Sequence, residues 1–262
     1  LIDRDAEILF NKEIARDTYL MGLRAPQIAA QAKPGQFVMI RVRPGMDPLL
    51  RRPFSICGIT GGENIVILYR VVGMGTALMS GVEEGNRMAV LGPLGRGFEM
   101  PGADQASVLV AGGMGVAPLI FLSRQLEPSS RTFMAGYGTA AEIVPMDQVA
   151  HDPMELLIAT DDGSFGHKGP VTDLLEIHLA GMGRQLPTVF TCGPLAMLKR
   201  IGRLAAQRGF PCQASLESNM ACGLGACLGC AVRSASGRER TYDLVCRDGP
   251  VFPVQSIDWE SL

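Results

Sequence analysis

Long apolar runs are missing from this chain. No stretch of 18 apolar residues occurs among its 262 residues, so a spanning helix is not expected. An excess of charge is missing too. There are 24 Lys and Arg against 26 Asp and Glu, for a net charge of −2. No basic patch stands out, which argues against nucleic acid as a partner. Cysteine is scarce and odd in number, seven in all, and no secretory leader pattern opens the residues given. A disulfide framework therefore fits poorly. The three histidines, His151, His167 and His178, have no metal-like spacing and are expected at ordinary turn or surface positions. One tryptophan stands against fourteen methionines, a sign of adaptable packing or contact surfaces. The hydrophobic fraction of 47% and charged fraction of 19% fit a globular protein with a substantial core. The length allows one large domain or two to three small ones.

The few cysteines are concentrated. Cys222, Cys227, Cys230 and Cys246 follow the spacing C-x4-C-x2-C-x15-C. Three thiolates from one loop and a fourth from a distant strand is the plant-type arrangement for a [2Fe–2S] cluster. Gly223, Gly225 and Gly229 separate the first three. Residues without a Cβ let such a loop turn its N–H groups toward sulfur. Structural zinc also takes four cysteines, but usually as two C-x2-C pairs. A thiolate-held cluster with few other cysteines suggests a reducing, cytoplasmic setting. Cys57 and Cys212 are expected to pack as small apolar groups.

Residues 1–99 read as β-rich. Short apolar runs cover 7–12, 18–24, 37–43, 54–59, 64–71 and 87–91, with Pro-Gly and Gly-Gly breaks between them. That spacing suggests a small antiparallel barrel, interrupted by a helix from about Thr76 to Glu84. Two stretches here look chemical. Arg51-Arg52-Pro53-Phe54-Ser55 offers a cation for phosphate, a fixed backbone and a hydroxyl. Tyr69-Arg70-Val71-Val72-Gly73-Met74-Gly75-Thr76 ends a strand in glycines where a helix begins, and free N–H groups at such a start bind anions. Each is also compatible with a plain strand edge or a Thr-capped turn. The run Leu91–Phe98 is expected to form a structured crossover, with Phe98 near a domain junction.

Residues 100–210 change pattern. Continuous apolar strands at 107–111, 132–136, 155–160 and 188–192 alternate with helices at 116–126, 139–146, 171–180 and 194–208. That predicts a doubly wound parallel sheet, with ligands at the C-terminal strand ends. Three strand ends are marked. Gly112-Gly113-Met114-Gly115 could receive a pyrophosphate, although it lacks the full dinucleotide fingerprint. Asp161-Asp162-Gly163-Ser164 could bind ribose hydroxyls or be an Asx-rich turn. Cys192 could be a thiol beside a nicotinamide or a small buried residue. Gly136-Tyr137-Gly138-Thr139 with Glu142 nearby shows no basic cluster, which favours NAD over NADP. The domains expected are 1–99, 100–210 and 211–262.

The order of parts carries its own logic. A nicotinamide moves two electrons as hydride, and an iron–sulfur cluster moves one at a time. A flavin converts between them, so a flavin is expected in the barrel.

The motifs R-P-F-S, Y-R-V-V-G-x-G-T, L-G-P-L-G-x-G-F, A-G-G-x-G-V-A-P-L and C-G-P resemble the ferredoxin–NADP reductase superfamily. The tail, S-L-E-S-N-M-A-C-G-L-G-A-C-L-G-C with V-C-R-D-G-P-V-F, resembles the electron-transfer subunits of NAD-dependent (class 1B) dihydroorotate dehydrogenases, as does T-D-D-G-S-F-G-H-K-G. The resemblance spans essentially the whole chain. It implies FAD, one [2Fe–2S] cluster and NAD, and a separate FMN-containing catalytic subunit in a heterotetramer of two of each. Electrons from dihydroorotate, in pyrimidine biosynthesis, would pass from FMN through the cluster and FAD to NAD⁺. It implies that Arg52, Pro53, Phe54 and Ser55 hold the isoalloxazine and ribityl-phosphate region. Tyr69, Arg70 and Val71 would line the flavin, and Gly75 and Thr76 would hold its phosphates. Gly113, Asp161 and Cys192 fall to the NAD site, and Cys222, Cys227, Cys230 and Cys246 to iron. No acid–base catalytic residue is nominated, because the chemistry belongs to the cofactors. The alternative is a flavin/iron–sulfur NAD(P)H reductase subunit serving another oxidoreductase, of the ferredoxin-linked or sulfite reductase type.

Overall fold

The computed structural model describes residues 2–102, 105–150, 155–183, 186–236 and 239–262. His151 lies outside the described residues.

Six strands close an antiparallel barrel: β1 (Ile2–Ala15), β2 (Thr18–Arg24), β3 (Phe37–Arg41), β4 (Arg52–Thr60), β5 (Asn64–Arg70) and β6 (Arg87–Leu94), in the order β1-β2-β5-β4-β3-β6. Alternating residues fill it, among them Ile8, Met21, Ile40, Ile56, Ile65, Ile67 and Val90. Closure leaves the barrel without free sheet edges. The short helix α1 (Pro26–Ala29) adds Ile28 and Ala29 to this core. Helix α2 (Met74–Ser80) adds Met79. It starts two residues earlier than expected, with Gly73 as its N-cap, so Gly75 and Thr76 lie inside its first turn.

The second region is a seven-stranded sheet. Its strands are β7 (Ser107–Gly112), β8 (Arg131–Tyr137), β9 (Glu155–Thr160), β10 (His167–Lys168), β11 (Thr188–Cys192), β12 (Cys212–Ser215) and β15 (Val251–Pro253). The order is β10-β9-β8-β7-β11-β12-β15. All pairs are parallel except β12 with β15. Alternate residues of β7 serve opposite faces. Val108 and Val110 meet helices α5 (Val171–Gly181) and α6 (Leu195–Arg208), while Leu109 and Ala111 meet α3 (Val116–Ser123). Every residue of α3 is buried, because it packs on both the sheet and barrel strand β4. Its sequence, apolar on every side, is what such a sandwiched helix requires. Fully buried Leu119, Ile120 and Leu122 each contribute about 1.5–3 kcal/mol from burial. Phe98 meets Phe190 edge-on at 5.6 Å, which places it at the junction as expected.

The helix expected at 139–146 does not form. A 3-10 turn at Ala140–Glu142 and a four-residue helix α4 (Met146–Val149) replace it. Pro145 is the reason, since a proline biases the residue before it out of the helical region. α6 stops at Gly209, whose φ of +79° suits a left-handed cap.

The last fifty residues carry a small hairpin, β13 (Ala231–Arg233) and β14 (Tyr242–Leu244). Before it comes the cysteine loop, and after it comes β15, which returns to the sheet edge. Both β12 and β15 are short, with no periodicity long enough to announce them.

Candidate functional site

Strands β4 and β5 pair only from Ile56 opposite Ile67 to Thr60 opposite Asn64. Beyond that point they part. Arg52–Ser55 stay on β3, and Leu68–Arg70 stay on β2. A cleft of about 740 Å³ opens along this seam, bordered by Arg52, Pro53, Phe54, Ser55, Tyr69, Arg70 and Thr76. A proline is tolerated here because the seam leaves this stretch of β4 without a β5 partner.

Arg52 lies against the first turn of α2. Its Nε is 2.8 Å from where a Cβ on Gly75 would stand, and its Nη1 donates to the Leu50 carbonyl at 2.7 Å. That first turn has no acidic residue. A guanidinium beside a helix N-terminus puts two positive features together and suits an anion between them. The Thr76 hydroxyl accepts the Val72 and Gly73 N–H groups at 2.9 and 3.2 Å and donates to the Gly73 carbonyl. It thereby fixes the turn.

The Tyr69 ring is buried, stacked on Tyr19 at 5.5 Å with Phe54 edge-on at 5.8 Å. Its hydroxyl donates to Asn11 Oδ1 at 2.9 Å, and Asn11 in turn donates to the Met79 and Val82 carbonyls. Burial raises the Tyr69 phenol well above its ordinary value. The Val71 N–H donates to the Asp17 carbonyl at 2.8 Å. Val71 shapes the strand end rather than bordering the cleft.

A second cleft of about 720 Å³ lies at the C-terminal strand ends, bordered by Gly113, Asp161, Tyr137, Glu142 and Arg200. The sheet order reverses between β7 and β11, the place where such sheets bind ligands. Gly113, with φ +51°, faces open space. The steric demand falls on its neighbours. A Cβ on Gly115 would run into the Cys192 carbonyl, and one on Gly112 would lie 2.6 Å from Pro194 Cδ. Asp161 borders the cleft, while Asp162 makes the Asx turn. Asp162 Oδ1 accepts the Ser164 hydroxyl at 2.6 Å and its N–H at 2.9 Å, which holds that carboxyl below the usual range. Cys192 is buried and borders the first cleft rather than the second. Burial raises its thiol, and Cys57 is likewise raised, to about 12.

The two clefts share Arg70, Val72, Met114 and Glu217. Arg70 reaches Glu142 there at 3.6 Å. Glu217 is exposed at the mouth of the cleft, and partial desolvation by the protein around it pushes its carboxyl upward. Glu217 and the following Ser218-Asn219-Met220 border the first cleft, which sequence reading missed. They come from a segment far along the chain, and only the β11–β12 pairing brings them there.

That segment runs directly into the cysteine loop. Gly223 packs on Met39 and Leu94 of the barrel. Backbone donors point at three sulfurs: Leu224 N–H to Cys222 at 3.3 Å, Gly225 N–H to Cys246 at 3.1 Å and Cys246 N–H to Cys230 at 3.4 Å. The Leu224 contact is the main cause lowering Cys222 to about 6, while burial raises Cys246 to about 12. Gly223 (φ +72°), Gly225 (φ +79°) and Leu228 (φ +59°) provide the left-handed turns. Cys227 is exposed, whereas Cys230 and Cys246 are buried. Among the described residues no three His, Cys, Asp or Glu side chains close on a single ion. Four thiols, three of them with backbone amides aimed at their sulfurs, fit the anionic ligand set of a two-iron cluster, which spreads its ligands over a larger body.

No helix among the described residues is long and apolar enough to cross a membrane. The family model described as the iron–sulfur cluster binding domain of dihydroorotate dehydrogenase B matches residues 217–258. The electron transfer subunit of dihydroorotate dehydrogenase B (NAD(+)) from Desulforamulus reducens is 40% identical over 259 residues, covering 98% of each chain. The same subunit from Geobacillus thermodenitrificans is 41% identical over 250 residues, covering 94% of each. Among solved structures, a chain of an NADH-dependent reduced ferredoxin–NADP oxidoreductase superposes with a TM-score of 0.84 at 29% identity, covering 99% of this chain and 92% of that one. A ferredoxin NADP⁺ reductase from Neisseria gonorrhoeae, with bound FAD and NADP, shares the fold at a TM-score of 0.65 and 17% identity, over 79% of this chain and 92% of that one. With two clefts meeting beside a four-cysteine loop, and near-full-length relatives of one kind, the chain belongs to the family of electron transfer subunits of dihydroorotate dehydrogenase B (NAD(+)).

Proposed function

We propose that this chain passes electrons between a [2Fe–2S] cluster and NAD through FAD, as the electron-transfer subunit of a dihydroorotate dehydrogenase. The observation that carries this reading is the continuity of Glu217–Met220, which border the first cleft, with the loop that begins at Cys222. When bound, the flavin exchanges electrons in pairs with the nicotinamide and singly with the cluster.

The residues divide as follows. Arg52 and the first turn of α2, with Gly75 and Thr76, hold the FAD pyrophosphate. Pro53, Phe54, Ser55, Tyr69, Arg70 and Val71 form the walls and backing of the isoalloxazine and ribityl site. Gly113 and Asp161 take the NAD pyrophosphate and ribose, and Cys192 lies where the two ring systems approach. Cys222, Cys227, Cys230 and Cys246 ligate iron, and the amides of Leu224, Gly225 and Cys246 stabilise the thiolate charge. Residues 1–99 serve FAD, 100–210 serve NAD and 211–262 serve the cluster. The last two share one sheet through β12 and β15.

The partner is an FMN-containing catalytic subunit in a heterotetramer of two of each, in the cytoplasm. Leu224 and Leu228, 58% and 64% exposed beside the cysteines, support a docking face there. The test is a visible and EPR spectrum of the NADH-reduced protein, with identification of the subunit that copurifies. Flavin bleaching, a reduced-cluster signal and an FMN partner that oxidises dihydroorotate with NAD⁺ are expected. A partner without FMN, in a complex inactive on dihydroorotate, would redirect the chain to another oxidoreductase.

A further inference from the structure

We propose that Asp173 and Glu176 enforce the choice of NAD over its 2′-phosphorylated form by holding the charge of Arg200. The proposal rests on reading the second cleft as the dinucleotide site. Two cations border that cleft among the described residues, Arg70 and Arg200. Both are engaged by carboxylates. Arg70 Nη1 lies 3.6 Å from Glu142 Oε2. Arg200 Nη2 lies 2.7 Å from Asp173 Oδ1 and 2.7 Å from Glu176 Oε1. Asp173 and Glu176 sit one turn apart on α5, and Arg200 reaches them from the neighbouring helix α6 at the border of the cleft.

One guanidinium shared by two carboxylates leaves a net negative cluster. His167 Nε2 stands 4.0 Å from the other Asp173 oxygen and adds charge only when protonated. Asp161 and Glu217 also border the cleft. Among the described residues, a 2′-phosphate entering here meets carboxylates and no cation that is not already paired. A 2′-hydroxyl meets acceptors to which it can donate. Arginine is the side chain best suited to take phosphate in a forked pair of hydrogen bonds. What withholds Arg200 from that task is the pair of acids on α5.

The test uses the full chain in three forms besides the parent: Glu176→Gln, Asp173→Asn with Glu176→Gln, and that double form with Arg200→Gln. Binding of 5′-AMP and of adenosine 2′,5′-bisphosphate is measured by calorimetry. Flavin reduction by NADH and by NADPH is followed in parallel. The double form is expected to gain about tenfold in bisphosphate affinity and in the NADPH-to-NADH ratio. Glu176→Gln should gain less in the same direction, and the triple form should lose the gain. Unchanged bisphosphate affinity in the double form, with 5′-AMP bound as in the parent, overturns the proposal. So does a gain that persists without Arg200. Failure of the parent to bind 5′-AMP overturns the reading of the cleft itself.

Discussion

The backbone N–H of Gly225 donates to Cys246 Sγ across 3.1 Å, joining the first turn of the cysteine loop to the one thiol that arrives from the far side of the hairpin. Gly225 reaches this position at φ +79°, and a Cβ there would stand 2.9 Å from Arg247 Cδ. Left-handed backbone costs a residue with a Cβ about 1–2 kcal/mol. Gly225→Ala should therefore lower iron content per chain and weaken the reduced-cluster EPR signal while leaving flavin absorption in place. Full iron occupancy in that variant would remove the loop geometry from the account of the site.

Arg52 and Gly75 make a second close pair. Hydrogen bonds to charged groups contribute about 1.5–3 kcal/mol, so Arg52→Ala should weaken FAD binding by about tenfold to a hundredfold. Added FAD should restore NADH-driven reduction of ferricyanide. Gly75→Ala should act in the same direction by displacing the guanidinium. Flavin titration of the apoprotein measures both.

The Glu217 carboxyl is raised in the folded chain by its surroundings. A carboxyl raised on folding binds its proton more tightly in the native state. Its stability contribution is complete below the unfolded value, about 4.3, and is lost as pH rises through the folded value. Glu217→Gln should therefore raise Tm at pH 7, and the gain should vanish near pH 4. A Tm difference that is constant across that range would contradict the assignment.

Gly115→Ala forces a Cβ into the Cys192 carbonyl where β7 and β11 end side by side. Overpacking of this kind costs about 1–3 kcal/mol. A lower Tm is expected, together with weaker 5′-AMP binding, because Gly112 at the end of β7 and Pro194 just past the end of β11 border the nucleotide cleft. Gly113→Ala, at a position with open space around it, should cost far less in packing, leaving mainly its left-handed φ of +51°.

These contrasts show what was legible in the sequence. Cys222, Cys227 and Cys230 share one short loop, so spacing alone announced them. The alternation of strands and helices announced the sheet, and Pro-Gly breaks announced the barrel. Long-range pairing was not legible. Nothing local in Val251–Pro253 says that it completes the edge of a sheet begun at Ser107. Nor does Glu217 reveal that it borders both clefts, since β12 has to pair with β11 before it is carried there. The glycine turn is legible in the sequence, but the separate roles of its members are not. Packing separates Gly112 and Gly115, which let two strand ends meet, from Gly113, which faces open space.

The strand Val251–Pro253 has one more consequence. It pairs antiparallel with Cys212–Ser215, so the chain leaves the nucleotide sheet, winds through the four cysteines and re-enters the same sheet. The cysteine module is stitched at both ends and cannot swing as a tethered arm. The separation between its sulfurs and the seam of the barrel is set once, at folding, and not by repeated encounter. Electron exchange inside the chain should then be first order, indifferent to dilution and to ionic strength, while exchange with the partner should fall only where dilution or salt takes the complex apart.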